Sequence, residues 1–433
     1  MTLTPGQFDC PALSPSEAAA FLTLGETVCR DTLQNALTMQ KQRVASVAKN
    51  ATTRRHATIH KGFDVVDPSL PGTCARTTIA ASLADVADFF YLDSPHKLDQ
   101  YAFTMGQKIA DRRNLYTLVS PDEAPMHYCG IAWMRYDVPK LFASRDMCVI
   151  EYHNEIEVVD DELRRRRGWV RCMHSIDLRC CPPLKAAHGI VRGTVTRTGY
   201  VFLETDVADV LDLFSVVVAQ AHGNLVTPLA LALAKRQCQM VLQLEEYFSL
   251  QRVMRTMASL DQHVVGPTTT CSYCTKCHRN FGLFLRTFHC RACLQTTCND
   301  CGHEWTLPLH GVPVKVFVCH ACFCPQDPTS RHVRTDSVQS SLLSANQLQL
   351  AKDRIMLSSE WGEDDTMRES FSSAKAHYAP ASDVARTDSS RSSGRHPSIK
   401  IGGPGGAYPV TFLRGVQATA TTTVANDDYN IRC

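Results

Sequence analysis

The clearest pattern of apolar positions at the start of the chain is helical. Over residues 14–40, Ala, Leu and Val recur at intervals of three or four positions, and Ser14 stands where a helix N-cap is expected. A shorter helical stretch follows at residues 82–91, where Ser82 precedes Asp85 by three positions, as in a capping box. The pattern therefore predicts two helices early in the chain.

Around and after these helices, the apolar residues fall into short stretches that are typical of β-strands. The predicted strands cover residues 57–66, 115–119, 126–136, 146–152, 169–178, 191–198, 200–205 and 211–219. Thr227 and Pro228 then occupy positions typical of an N-cap and a first helical residue, and an apolar-striped helix is predicted over residues 229–248. Helices on both sides of a long run of antiparallel-type strands indicate an α+β fold, although the pattern does not order the strands.

The composition changes beyond that helix and again after residue 325. The last part of the chain is rich in Ser, Thr, Asp, Arg and Gly, and it has too few apolar residues to compensate for the entropy lost on ordering. We therefore expect four regions: an N-terminal domain at 1–255, a linker at 256–270, a cysteine-rich finger at 271–325, and a disordered tail at 326–433.

Length, charge and hydropathy narrow the class of protein. A chain of 433 residues with 44% hydrophobic and 20% charged residues is typical of a soluble globular protein of two or three units. The formal net charge of +2 gives no electrostatic argument for nucleic-acid binding. Neither a signal peptide nor an apolar run of about 20 residues is present, so the sequence predicts a soluble intracellular protein.

The 20 cysteines are unevenly distributed. Nine precede residue 270 at irregular spacings, and we expect these to be small buried hydrophobic residues. Ten lie between Cys271 and Cys324. A dense cluster of this kind in a reducing compartment is typical of a metal site.

Eight of those ten cysteines form four C-x2-C pairs, the spacing at which two thiolates can share one tetrahedral zinc ion. The pairs are Cys274/Cys277, Cys290/Cys293, Cys298/Cys301 and Cys319/Cys322. Eight ligands satisfy two Zn²⁺ ions, and only four residues separate the middle pairs, which favours interleaved ligation. Cys271 and Cys324 are alternative outer ligands at less regular spacings.

The order and spacing of these pairs resemble the FYVE zinc finger. The resemblance implies that the first and third pairs hold one zinc ion and that the second and fourth hold the other. It also implies binding to phosphatidylinositol 3-phosphate on endosomal membranes. A RING finger would have two residues in the middle gap, where this chain has four.

The lipid-binding part of the FYVE family matches less completely. The family motif RRHHCR corresponds here to RTFHCR, which retains Arg286, His289 and Arg291. Thr287 and Phe288 replace an arginine and a histidine, and a further family arginine is replaced by Phe317, with Lys315 nearby as a substitute. The resemblance implies that a phosphoinositide would contact four retained or substitute residues. They are Arg286, His289, Arg291 and Lys315.

The segment FGLFL at residues 281–285 matches the loop with which family members enter the bilayer. By this resemblance, Leu283 and Phe284 are the expected membrane-insertion residues. An exposed apolar run of this kind otherwise needs a protein partner or a neighbouring domain to cover it.

The N-terminal domain resembles the START-like helix-grip fold of lipid-transfer proteins. The resemblance rests on the block WMRYDVPKLFASRDMCVIEYH at residues 133–153, the strand-rich run at 168–219 and the helix after Pro228. It implies that a curved antiparallel sheet grips the last helix and encloses an apolar cavity for one hydrophobic ligand. Arg145 and Asp146 match a dipeptide at the start of one START strand. START-like domains joined to altered FYVE-like fingers are frequent in oomycete proteins, and this chain is similar to them.

These features favour a non-enzymatic, zinc-binding membrane adaptor or lipid-transfer protein, cytoplasmic and peripheral on endosomal membranes. A protein-interaction module for a partner such as a small GTPase is the main alternative, because some FYVE-related fingers have lost the basic motif. An enzyme is the third interpretation, but the sequence contains none of the G-x-S-x-G, Walker or H-E-x-x-H motifs. The run of arginines at residues 164–167 is interpreted as a solvent-exposed hairpin whose charges are compensated. This interpretation is favoured over contact of the arginines with an anionic membrane.

Overall fold

The computed structural model describes residues 3–4, 6–106, 109–136, 143–159, 163–220, 222, 235–259, 271–282, 286–309, 312–324 and 410–412. The two predicted early helices are confirmed as α1 (Pro15–Met39) and α2 (Leu83–Phe90). Both begin with a capping box, which the sequence predicted only for α2: the Glu17 amide donates to Ser14 Oγ at 3.3 Å, and the Asp85 amide donates to Ser82 Oγ at 3.1 Å. A third helix, α3 (Pro95–Met105), was not predicted.

The N-terminal domain is built on one large antiparallel sheet, in the order β1-β2-β3-β11-β10-β7-β6-β5-β4. The strands of this path are β1 (Val44–Lys49), β2 (His56–Phe63), β3 (Pro71–Ala80), β4 (Ile109–Val119), β5 (Tyr128–Tyr136), β6 (Arg145–Val159), β7 (Arg165–Ser175), β10 (Thr198–Glu204) and β11 (Val210–Val217). The sequence missed β1 and β3. Short elements complete the domain: α4 (Lys185–His188), β8 (Val191–Arg192), β9 (Thr194–Val195) and β12 (Ala219–Gln220).

Both faces of the sheet carry apolar cores, because successive side chains of a strand point to opposite faces. On one face, α1 packs on residues such as Tyr152 and Val170, and we call this the α1 face. Gly25 permits the close approach of α1, since a Cβ at this position would lie 2.5 Å from the Tyr152 ring. On the opposite face, α2, α3 and the last helix of the domain pack on residues such as Trp169 and Phe202. This arrangement of a sheet around its closing helix confirms the α+β helix-grip prediction.

The closing helix, α5 (Val241–Ser259), belongs to two cores. Its first half, including Leu244 and Phe248, packs in the N-terminal domain, on the sheet face that carries Trp169 and Phe202. We call this face the α5 face. Its second half, including Val253, packs against the finger. The linker prediction is therefore wrong for residues 256–259, which are helical. The predicted helix start at residues 227–228 lies outside the described residues, as do residues 260–270.

The finger contains two short hairpins and a helical turn. The first hairpin pairs β13 (Thr287–His289) with β14 (Thr296–Cys298), and the second pairs β15 (Gly302–Leu309) with β16 (Val312–Cys319), which leads into α6 (His320–Phe323). In the tail, residues 410–412 form β17 (Val410–Phe412), which pairs antiparallel with β6. The prediction of disorder therefore fails for these three residues, and the rest of the tail lies outside the described residues.

The scattered cysteines follow the prediction with one exception. Cys10 and Cys180 form a disulfide, with their Cα atoms 5.1 Å apart, which the sequence did not predict. The other cysteines before residue 270 are buried free thiols, as expected: Cys29, Cys74, Cys129, Cys148, Cys172, Cys181 and Cys238. Among the described helices, none combines the length and the apolar character needed to cross a bilayer.

Candidate functional site

The eight cysteines of the finger come together as two groups of four. The first tetrad is Cys274, Cys277, Cys298 and Cys301, and the second tetrad is Cys290, Cys293, Cys319 and Cys322. Within each tetrad all Sγ atoms lie within 4.8 Å of one another; Cys277 and Cys298 are 3.7 Å apart, and Cys293 and Cys319 are 3.9 Å apart. Tetrahedral zinc with bonds of about 2.3 Å requires sulfur–sulfur distances of about 3.8 Å. Each tetrad therefore fits one Zn²⁺, and the interleaved grouping agrees with the prediction.

Tight turns give the tetrads their shape. In the two turns that begin at Cys274 and Cys290, the chain reverses so that the amides of His278 and Leu294 donate to the Cys274 and Cys290 carbonyls at 2.8 and 2.7 Å. His278 and Leu294 both have left-handed φ values, of 60° and 58°. Backbone amides also point at the sulfurs: Cys298 N lies 3.4 Å from Cys274 Sγ. Such N–H donors stabilise thiolates, which are the form that binds the metal.

Arg279 is a contact of the first tetrad that the sequence analysis missed. Its guanidinium donates to Cys277 Sγ at 3.4 Å and to Cys298 Sγ at 3.6 Å, and it pairs with Asp300 at 2.5 Å. The hydrogen bond from Arg279 is the main cause that lowers the pKa of the Cys277 thiol to about 6. Since four thiolates around one Zn²⁺ leave a formal charge of −2, this cation compensates part of the charge of the site.

The two alternative ligands do not belong to either tetrad. Cys324 points toward the N-terminal domain, where its thiol lies 3.3 Å from Glu245 Oε1 and 3.7 Å from the Thr53 carbonyl. Cys271 is half-buried and is absent from both groups. The tetrads are therefore formed by the four C-x2-C pairs, without Cys271 or Cys324.

The residues expected to contact a phosphoinositide have different environments. Arg286 and Arg291 are exposed, and neither has an ion pair within the described part of the chain. Lys315 instead pairs with Glu304 on the neighbouring strand at 3.3 Å. His289 is half-buried, and its Nδ1 has no hydrogen-bond partner among the described residues. The expected insertion residues, Leu283 and Phe284, lie outside the described residues.

The altered motif positions meet in space as an aromatic pair. The rings of Phe288 and Phe317 stack with centroids 4.5 Å apart and an interplanar angle of 13°. The Phe317 ring also covers Gly302, where a Cβ would lie 2.5 Å from the ring. Two positions that carry polar residues in the FYVE family are therefore occupied here by one apolar unit, which cannot hydrogen-bond a phosphate.

The finger is attached to the N-terminal domain through α5. Val253 is buried with Val318 and Phe323 in the core of the finger. Beside this core, Arg252 donates to the carbonyls of Cys322 and Phe323 at 2.5 and 2.8 Å. On the other side, Arg54 donates to the Asp300 carbonyl, which lies within the first tetrad's loop, at 2.8 Å. Both tetrads thus have neighbours in the N-terminal domain.

The interior of the N-terminal domain contains a buried ionic cluster that the sequence analysis missed. Glu151 Oε1 accepts from Arg171 Nε at 2.7 Å and lies 3.0 Å from His153 Nε2, while Oε2 accepts from Arg112 at 3.0 Å. Burial alone would raise the pKa of Glu151, but Arg171 and Arg112 hold it well below its ordinary value. Burial lowers the pKa of His153, so its imidazole is neutral near pH 7. The sequence signal that could have revealed the cluster was the spacing of Glu151 and His153, which are two positions apart and therefore lie on the same face of a strand.

A pocket of about 200 Å³ lies beside His153. It opens between α2 and the turn that joins β4 to β5. Its lining includes Asp88, Tyr91, Met126, Tyr128, His153 and Trp169. Of the ionic cluster, His153 lines this pocket, whereas Glu151, Arg112 and Arg171 do not.

The arginine run of the sequence has the compensated charge that was expected. Each arginine of residues 164–167 pairs with a carboxylate. The pairs are Arg164–Asp206, Arg165–Glu157, Arg166–Asp212 and Arg167–Glu155.

The chain is similar to known proteins in its finger and, over about half of its length, to several solved structures. Residues 265–326 match the family model of the FYVE zinc finger. The structural match to human StAR-related lipid transfer protein 5 covers 54% of this chain and 98% of that protein's chain, with 12% sequence identity and a TM-score of 0.41. Human STARD10 matches 55% of this chain over 84% of its own, at 12% identity and a TM-score of 0.32. A STAR-related lipid transfer protein from Xanthomonas axonopodis matches 47% over 97%, at 13% identity and a TM-score of 0.31.

Proposed function

We propose that this protein is a zinc-dependent peripheral membrane protein that binds a hydrophobic ligand in its N-terminal domain. The observation that carries the proposal is the closure of two thiol tetrads, whose members Cys277 and Cys290 flank the basic and apolar run of residues 281–289 in the sequence. Zinc held by the eight cysteines would supply roughly 10 kcal/mol of folding free energy per site. It would thereby order the backbone that carries Arg286 and Arg291, which follow the apolar segment 281–285 in the sequence.

The membrane contact combines apolar insertion with charge attraction. Leu283 and Phe284 enter the bilayer interface, while Arg286 and Arg291, which are exposed and without ion pairs among the described residues, attract anionic lipid. One such contact is weak and reversible by itself, so a second contact or a second copy strengthens it. The target membranes are endosomal.

Headgroup recognition of phosphatidylinositol 3-phosphate rests on Arg286, His289 and Arg291. A charge-assisted hydrogen bond contributes about 1.5–3 kcal/mol, so three contacts give measurable selectivity. Lys315 adds less, because it is already paired with Glu304. The Phe288–Phe317 pair removes two further contacts. We therefore expect a low preference for the 3-phosphate over other anionic lipids.

Liposome flotation of the full-length, zinc-loaded protein tests this proposal. Vesicles of phosphatidylcholine alone, with phosphatidylserine, and with phosphatidylinositol 3-phosphate are compared. Arg286→Ala is expected to lower binding to both anionic vesicles, because it removes an exposed cation next to the insertion loop. Arg165→Ala is the matched control, since it removes an arginine that pairs with Glu157 in the N-terminal domain. Absence of binding to every vesicle type would refute membrane docking.

A second function, docking of a protein partner such as a small GTPase, is favoured by the Phe288–Phe317 pair. This pair replaces polar contacts by apolar surface, which suits a protein better than a phosphate. Capture of candidate GTPases by the full-length protein distinguishes the two functions. A protein partner tolerates Arg286→Ala better than Phe284→Ala, whereas an anionic membrane is sensitive to both.

The N-terminal domain acts in this proposal by binding, not by catalysis. Its buried charged groups, such as Glu151 with Arg112 and Arg171, are held in ion pairs. An ion-paired carboxylate with a lowered pKa is a poor proton acceptor near pH 7. The same groups are well suited to orient a bound ligand.

A further inference from the structure

We propose that the disulfide between Cys10 and Cys180 is a redox-sensitive latch, which a small thiol such as glutathione opens to release the segment that precedes α1. We call this segment, residues 6–13, the strap. The inference goes beyond the proposed function, because it concerns the α1 face of the N-terminal domain and needs neither a membrane nor a bound hydrophobic ligand. The reactive residues are the two cysteines, and the co-reactant is a low-molecular-weight thiol.

The first argument is the mixture of cysteine states in one chain. The eight cysteines of the two tetrads bind zinc only as thiolates, so the finger needs a compartment that keeps thiols reduced. The other described cysteines before residue 270 are also free thiols. In a reducing compartment, a disulfide is usually transient and redox-sensing or catalytic. The conditions that keep the finger intact therefore act to open the Cys10–Cys180 bond.

The second argument is the access of solvent to the disulfide and not to its neighbouring thiols. Cys10 and Cys180 are both half-buried. Cys181, the next residue along the chain, is 1% exposed and shares a hydrogen bond with Cys148, which is 0% exposed. Exchange requires an attacking thiolate to reach a sulfur atom, so a dissolved thiol reacts at the Cys10–Cys180 bond and leaves the buried pair intact.

The third argument is how little else attaches the strap to the domain. The strap forms neither a helix nor a strand. In the described part of the chain, a single hydrogen bond joins it to the sheet, from Tyr116 Oη to the Pro11 carbonyl at 2.8 Å. The Phe8 ring packs on Trp133 with ring centroids 5.2 Å apart, and Trp133 is buried beneath it. Opening of the latch therefore frees the strap and uncovers part of the α1 face around Trp133.

The exchange balances with glutathione as the reductant. A glutathione thiolate attacks Cys10 Sγ, a mixed disulfide forms, and Cys180 leaves as a thiolate. A second glutathione thiolate attacks the glutathione sulfur of the mixed disulfide, so that oxidised glutathione forms and Cys10 leaves as a thiolate. Each cysteine then takes one proton from solvent. Two molecules of glutathione have thus supplied the two electrons that reduce the protein.

Tyr116 connects the two states of the latch. In the closed form its hydroxyl donates to the Pro11 carbonyl of the strap. The same Oη lies 3.8 Å from Cys180 Sγ. When the strap leaves, the hydroxyl is free to donate to the Cys180 thiolate, and such a hydrogen bond stabilises the charged sulfur.

Limited proteolysis of the full-length, zinc-loaded protein provides the test. Reduced and oxidised glutathione are mixed at ratios from about 1:1 to about 100:1, and free thiols are mapped by alkylation in parallel. As the reduced fraction rises, Cys10 and Cys180 should become alkylated, and chymotryptic cleavage after Phe8 should become about tenfold faster, because the released strap can enter the protease. Native mass spectrometry checks that both zinc ions stay bound, so that damage to the finger does not cause the response.

Two results of this experiment would overturn the latch. If Cys10 and Cys180 stay bonded at every ratio of glutathione, the disulfide is a purely structural bond. If the two cysteines are reduced and cleavage after Phe8 does not change, other contacts hold the strap and the disulfide controls nothing.

Three variants assign the response to this disulfide. Cys10→Ser should give fast cleavage after Phe8 at every glutathione ratio, and Cys180→Ser, which removes the same bond from its other side, should behave alike. Cys181→Ala is the matched control, since it changes the neighbouring thiol and leaves the latch in place, and it should keep the full response. Slow cleavage in both serine variants, or a response that disappears in Cys181→Ala, would overturn the assignment.

Discussion

The N-terminal domain and the finger bury their interiors by different means. In the N-terminal domain, a nine-strand path carries an apolar core on each face, and the residues that close those cores come from its own helices. The finger has only short hairpins, and the helix α5 supplies Leu250, Val253 and Met254 to its core. The remaining stability of so small a unit has to come from metal ligation.

Among the described residues, the finger therefore shares its core with a helix of the N-terminal domain. One helix serves both units: Phe248 packs in the domain, and Val253 packs in the finger. Because α5 packs in both cores, a change in the finger is expected to affect the N-terminal domain through this helix. The comparison can therefore be tested by weakening one unit and observing the other.

Removal of zinc is expected to have the largest effect. Chelation from the full-length protein removes roughly 10 kcal/mol of stabilisation per site, which should unfold the finger. Hydrogen exchange measured by mass spectrometry should then show loss of protection in the finger and in the second half of α5, with the first half protected by Phe248 and its neighbours. Unchanged protection of residues 250–258 would contradict the shared-helix interpretation.

Loss of one buried ion pair is expected to weaken the N-terminal domain by about 3 kcal/mol, because it leaves a buried charge unpaired. Asp64 accepts hydrogen bonds from Arg197 and Asn35; burial alone would raise its pKa, but these partners hold the pKa below its ordinary value. Arg197→Met removes one partner. Chemical denaturation of the native protein and of Arg197→Met at pH 7 should show this difference in the free energy of unfolding.

The pH dependence of the stability difference between the native protein and Arg197→Met follows from the direction of the pKa shift of Asp64. A carboxyl with a lowered folded-state pKa contributes stability above its unfolded pKa of about 3.9, and the contribution is lost as the pH falls through the folded-state pKa of Asp64. The stability gap between the native protein and Arg197→Met should therefore close in acid. A gap that persists below both pKa values would assign the effect to packing.

A smaller effect is expected from Val253→Ala in the shared helix. Removal of two methyl groups from this site, which is 1% exposed, should cost about 2 kcal/mol. The loss should appear in the unfolding transition of the finger, and zinc should be released at a lower denaturant concentration. Val47→Ala, at a site 51% exposed in β1, is the control and should change little.

The smallest expected effect is a gain in headgroup selectivity. Phe288→His together with Phe317→Arg breaks the aromatic pair and restores polar side chains at two positions beside Arg291. One added charge-assisted hydrogen bond of about 1.5 kcal/mol corresponds to roughly a tenfold preference for phosphatidylinositol 3-phosphate over phosphatidylserine. Flotation with the two vesicle types measures that ratio. A ratio equal to that of the native protein would place the phosphate contacts elsewhere.

The elements with strong local signals were predictable. The cap residues Ser14 and Ser82 defined the starts of two helices, and C-x2-C pairs at regular spacing indicated both the metal and the grouping of its ligands. Sequence patterns did not predict features that depend on contacts between distant parts of the chain. For example, α5 continues to Ser259 because the finger covers its second half, and the disulfide joins Cys10 to Cys180 across 170 residues.

By itself, the sequence determined the ligand set of the finger and the α+β class, because metal ligation and hydrophobic periodicity depend on residues close together in the chain. The tertiary structure decided which distant residues meet. It stacked Phe288 on Phe317, and it brought Arg112 and Arg171 from different strands onto Glu151. Long-range juxtapositions of this kind depend on strand order and register, which hydrophobic periodicity does not specify.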